Sequence, residues 1–70
     1  MEAHQKRVVD EKVELDDKVT KLSAFFSNPI FAGLDSAEQE RLRRQYAAML
    51  EYSVVLGERI AAFIKQESAQ

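Results

Sequence analysis

The stretch Phe25-Phe26-Ser27-Asn28-Pro29-Ile30-Phe31-Ala32-Gly33-Leu34-Asp35-Ser36 decides the fold. A proline disfavours helical backbone at the residue before it and lacks a donor of its own, so a helix arriving from the N-terminal side stops at Asn28-Pro29. A few residues on, Asp35 or Ser36 can accept from the free amides of a new helix, and Glu38 or Gln39 can close a capping box. Between these two signals Ile30 and Phe31 are expected to fold over the open end, with Gly33 relieving a tight backbone before the next start.

Working outward, both flanks read as amphipathic helices. On the N-terminal side Met1, Val8, Leu15, Val19, Leu22 and Phe26 follow a 3-4 spacing, with Gln5 and Lys12 in the remaining seam positions. On the C-terminal side Leu42, Tyr46, Met49, Leu56, Ile60 and Phe63 do the same, with Ser53 as the polar exception. The expected organisation is one domain over residues 1–70, with a helix at about 3–26, a loop at 27–35, a helix at about 36–65 and a frayed tail from Gln66 to Gln70. Folded back about Pro29, the seams pair antiparallel: Leu22 near Leu42, Val19 near Tyr46, Leu15 near Met49 and Val8 near Leu56. Lys12 then falls opposite Ser53, either as a polar pair that fixes register or as a lysine whose stem snorkels to solvent.

Seventy residues without cysteine set the next constraint. A chain this short buries only about 60% of the surface its unfolded form exposes, and one small core rarely supplies more than ~3–5 kcal/mol. Disulfides are absent, and a single histidine, His4, cannot make a zinc site without several carboxylates; no metal or cofactor is expected. Oligomerisation remains. It also explains a second apolar stripe on each helix: Val9 and Val13 on the first, and Leu50, Val54, Gly57, Ala61 and Ile64 on the second. Gly57 inside a helix costs about 1 kcal/mol relative to alanine, so its place in that stripe suggests close approach to a helix of another subunit. The fold class is therefore all-α: an antiparallel two-helix hairpin assembling into a homo-oligomeric helical bundle.

Most function classes fall away. The net charge of -2 gives no general attraction to nucleic acid or acidic membranes. No run approaches a membrane span, and the N-terminus has no apolar core that would make a signal peptide, so a cytoplasmic location is expected. There is no glycine-rich phosphate loop, nucleophile motif or metal-ligand spacing, so no enzyme is expected. Glu11, Glu14, Asp16 and Asp17 among Lys12, Lys18 and Lys21 read as a solvated face with i,i+4 pairs. Arg41, Arg43 and Arg44 among Glu38 and Glu40 read as another, and no recognition-helix arrangement points to DNA. Anion binding fits better. His4, Arg7, Lys18, Lys21 and Phe25 share one stripe of the first helix, interrupted by Glu11 and Glu14. Tyr52, Val55 and Arg59 share a stripe of the second, where Arg59 either pairs with Glu58 or Glu51 or points into a pocket shared between copies.

The segments Arg7 to Lys12, Lys21-Leu22 to Phe26, Pro29-Ile30-Phe31, Met49 to Tyr52 and Leu56 to Phe63 together resemble a family of short phage and prophage hairpin proteins. That family is similar to the hairpin domain of the anti-CBASS and anti-Thoeris cyclic-nucleotide sponges, which capture second messengers of bacterial immune systems. The resemblance spans nearly the whole chain. It implies a compact homo-oligomer, commonly a hexamer, that binds cyclic dinucleotides between protomers and, in some members, cyclic trinucleotides near threefold axes, without cleaving them. Carried over by position, the N-terminal aromatic of the pocket corresponds to His4, the first-helix basic residue to Lys18 or Lys21, and the late second-helix arginine to Arg59, while Arg7 would help cover the bases. Relatives have a tyrosine where this chain has His4. The competing expectation is an adaptor hairpin that docks a partner helix and takes no small ligand.

Overall fold

A computed structural model describes residues 1–68, and its elements are helical: α1 (Ala3–Phe25), a single turn α2 (Pro29–Ala32) and α3 (Ser36–Ser68). α3 therefore continues past the expected end at Lys65, and of the tail expected to fray only Ala69 and Gln70 lie outside the described residues.

The bend is more regular than a loop. Asn28 is extended, and its side-chain oxygen accepts from the Ile30 amide at 2.8 Å, so it caps a helical turn in which Pro29 holds the first position. Proline is preorganised for that position, where its missing donor costs nothing. Gly33 does not relieve strain: it lies at φ -84° and ψ -6°, open to any residue. Phe31 is buried and does fold over the open end, whereas Ile30 points outward. Around Phe31 the rings of Phe25 and Phe26 stand edge-on at 5.9 and 5.1 Å, and Phe26 in turn meets Tyr46 at 5.3 Å. Phe25 thus belongs to this aromatic cluster rather than to a basic stripe.

Asp35 caps α3 by accepting from the Glu38 amide at 2.9 Å. Neither expected partner closes the capping box. Glu38 pairs with Arg41 at 2.8 Å, and the Gln39 amide nitrogen reaches back to the carbonyls of Phe31, Ala32 and Leu34 at 2.9, 3.3 and 3.2 Å. One side chain so ties α3 back to the end of α2, giving the Ala32 and Leu34 carbonyls a donor and sharing the Phe31 carbonyl with the Leu34 amide.

Contacts between the long helices run in opposite chain order: His4 meets Phe63, Lys12 meets Ser53 and Phe26 meets Tyr46. Val8, Leu15 and Leu56 are the buried centre of this contact, with Val19, Met49, Ile60 and Phe63 packed around it. Among the described residues Leu56 alone is wholly buried, at 0% exposure. The body is a rod of 54 × 16 × 14 Å, with a radius of gyration of 16.0 Å against about 11 Å for a compact chain of this length.

Candidate functional site

The seam between α1 and α3 has two edges, and they differ chemically. One edge is marked by Lys12, whose Nζ donates to Ser53 Oγ and to the Asp16 carboxylate, both at 2.9 Å. Ser53 Oγ also donates to Asp16, closing a three-membered polar network in the middle of the apolar seam. The hydrogen bond from Ser53, and then that from Lys12, hold the Asp16 carboxyl below its ordinary value. Gly57 sits on this edge, where an added Cβ would meet the Lys12 stem at 3.5 Å, an ordinary contact. Within one chain the neighbour of Gly57 is thus a lysine side chain. Leu50, Val54, Ala61 and Ile64 lie three, four or seven residues from Gly57 and continue the same face, and Val9 and Val13 flank Lys12 on α1. Val13, Val54 and Ile64 are 65%, 55% and 52% exposed, a run of large apolar groups left in water.

The other edge is marked by His4, whose ring stands edge-on against Phe63 with centroids 6.4 Å apart and planes at 80°. One α1 face continues from His4 through Arg7, Glu11 and Lys18 at helical spacing, and one α3 face runs back from Phe63 through Arg59, Val55 and Tyr52. Arg7, Lys18, Tyr52 and Arg59 are all exposed here. Among the described residues neither Arg7, Lys18 nor Arg59 makes an ion pair, so Arg59 pairs with neither Glu51 nor Glu58. Lys21 is different: its Nζ lies 2.9 Å from Asp17, and that hydrogen bond and charge raise its pKa.

These side chains do not form one cluster in a single chain. His4 and Arg7 lie level with Arg59 at one end of the seam. Lys18 is fourteen residues beyond His4 on a straight helix, a separation of about 21 Å at 1.5 Å per residue. The protomer offers two cationic stations rather than one pocket. The arginines near the bend are a separate matter: Arg41 pairs with Glu38, and the Arg43 guanidinium lies 5.3 Å from the centroid of the Phe31 ring. That stacking was not legible in the sequence, because it depends on how α2 turns Phe31 back onto α3.

Among the described residues no group of three His, Cys, Asp or Glu side chains could hold a metal ion, and no described helix is long and apolar enough to cross a membrane. What the arrangement offers chemically is binding: unpaired guanidinium and ammonium groups beside exposed aromatic and aliphatic surface.

The Sequestin family model matches residues 2–62. A relative from Enterobacteria phage T4, the "Uncharacterized 7.5 kDa protein in denB-rIIB intergenic region", is 38% identical over 63 residues, covering 90% of this chain and 98% of that one. No solved structure matches. The chain belongs to the Sequestin family of phage sponge-type helical proteins.

Proposed function

We propose that this Sequestin is a non-enzymatic sponge whose homo-oligomer binds cyclic oligonucleotide second messengers, cyclic dinucleotides foremost and cyclic trinucleotides in addition, and so withholds them from CBASS-like immune effectors of the host. The observation that carries the reading is the edge of the seam where Arg7, Lys18 and Arg59 stand without ion-pair partners among the described residues. Exposed cations with no internal acid are free to meet phosphate, and charge-assisted contacts to phosphate are the strong ones. His4, Arg7 and Arg59 would form one station and Lys18 with Lys21 the other. Asp17 must give up Lys21 for phosphate to take it.

Assembly supports the same reading. The chain exposes 5275 Å², about 800 Å² more than a compact monomer of its length, which is about one partner's share of a standard interface. The apolar run Val13, Val54 and Ile64 lies on the edge opposite the cations, so self-association through it leaves the basic edge open. Stations about 21 Å apart in one chain come together when a further chain lies inverted against the open basic edge, across a second twofold axis perpendicular to the rod, as an assembly larger than a dimer can supply. A hexamer is the assembly we propose, in the cytoplasm of the host cell. An adaptor that docks a partner helix has no use for paired stations of unpartnered cations.

Calorimetric titration of the purified protein with cyclic di- and trinucleotides tests the reading. Saturable binding of at least one is expected; heat of dilution alone with all of them would sink it.

A further inference from the structure

We infer that Tyr52 is the base-stacking residue of the ligand-binding edge, an inference that rests on the proposed capture of cyclic oligonucleotides. Tyr52 is 44% exposed on the α3 face that it shares with Val55 and Arg59. Among the described residues its hydroxyl has no hydrogen-bond partner and its ring no ring partner, whereas Tyr46 is set against Phe26 and His4 against Phe63. Of the aromatic side chains on this edge, Tyr52 therefore is exposed and has no aromatic neighbour, whereas the His4 ring is already engaged with Phe63.

Position argues the same way. Arg59 lies seven residues from Tyr52, about 10 Å along α3. Lys12 meets Ser53 across the seam, which puts Tyr52 level with Val13 on α1 and leaves Lys18, five residues further along, about 8 Å away in the other direction. The ring thus stands roughly midway between the two cationic stations, with Val55 as an apolar floor toward Arg59. A nucleotide whose phosphate meets either station can lay its base on this ring. Stacking on an open aromatic face tolerates any base, because every base has a π-face. Tyr52 also sits on the opposite edge from Val13, Val54 and Ile64, so it is not part of the apolar run that needs covering.

The test is titration of wild type, Tyr52→Leu and Tyr52→Phe with cyclic di-AMP, cyclic di-GMP and cyclic GMP-AMP, alongside light scattering and a proton NMR titration of Tyr46→Phe, in which Tyr52 is the sole tyrosine. Stacking predicts that leucine weakens binding about tenfold or more while phenylalanine keeps it within about twofold, at unchanged oligomer mass. It also predicts that the Tyr52 ring protons move upfield as ligand is added, a readout that does not need Tyr52→Leu to fold. Full affinity in Tyr52→Leu, or ring protons that do not move while the ligand binds, would overturn the role of Tyr52 and leave the sponge standing. A smaller assembly in Tyr52→Leu would make the residue a subunit contact and overturn it too. A wild type that binds none of the three and no cyclic trinucleotide brings down the sponge reading, and this inference with it.

Discussion

Lys12 and Ser53 meet across the seam, Nζ to Oγ at 2.9 Å, at the one level where both apolar stripes are interrupted. A slip of one helical turn would put the ammonium against Met49 or Leu56 and leave Ser53 facing a valine or leucine. Polar pairs of this kind specify register at some cost in stability. In this rod, register matters because it sets which cation on α1 lies level with which on α3.

Asp16 completes that pair, and its titration should be visible. Its carboxyl is held below the ordinary 3.8 in the folded chain, first by Ser53 and then by Lys12. A depressed folded-state pKa contributes stability that is complete above the unfolded value and is lost as pH falls through the lower folded one. Asp16→Asn should therefore melt below wild type near neutral pH, and the difference should close as pH drops below about 3.8. Circular dichroism melts at fixed protein concentration check this; a difference that persists in acid contradicts it.

Leu56 is the wholly buried side chain of a core with few members. Leu56→Ala should cost about 2–5 kcal/mol, a large part of what so small a core can supply. Urea titration followed at the helical band reads the loss, and a midpoint within error of wild type would contradict the central place given to this residue.

Much of the fold was legible because it rests on period and punctuation. The Asn28-Pro29 stop, the Asp35 cap and the Lys12 to Ser53 register all follow from residue spacing and from what single side chains can donate or accept. Gln39 was not legible in the same way. Its bonds to three carbonyls require α2 to be helical first, and a four-residue helix leaves almost no periodic signal. Gly57 shows a related limit: a glycine in an apolar helix stripe points to a neighbour, not to the chain the neighbour belongs to. Of the candidate site, the cationic residues could be named from the sequence, but their separation into two stations could not. A stripe on a helical wheel discards distance along the axis.

Gly57→Ala tests where the neighbour of Gly57 lies. With only the Lys12 stem at 3.5 Å, the new methyl fits and the helix gains about 1 kcal/mol. The melting temperature should rise by about 4–8 °C with the oligomer mass unchanged. A fall in either would mean that a second copy seats a helix on Gly57.

Val54→Asp tests the apolar edge. A carboxylate in the middle of a contact face disfavours association through desolvation, while on an exposed helix face it costs little folding stability. Light scattering should show a smaller species with the helical content retained. An unchanged mass would move the subunit interface elsewhere.

Arg59→Ala and Lys18→Ala test the two stations separately. Each should weaken ligand binding by about tenfold or more, the usual scale for losing a charge-assisted hydrogen bond. Loss of one ligand class with retention of the other would show that each station serves its own ligand. Unchanged affinity in both would remove the basic edge from the account.

The most direct measurement of the central claim is recovery of the ligand. Purified protein is added in steps to a cyclic dinucleotide that it binds, the free ligand is quantified after ultrafiltration, and the protein is then heat-denatured. A sponge removes ligand in fixed proportion to the protomers present and returns all of it as the intact cyclic molecule. Ligand that comes back linearised, or free ligand that never falls below the amount added, would contradict sequestration.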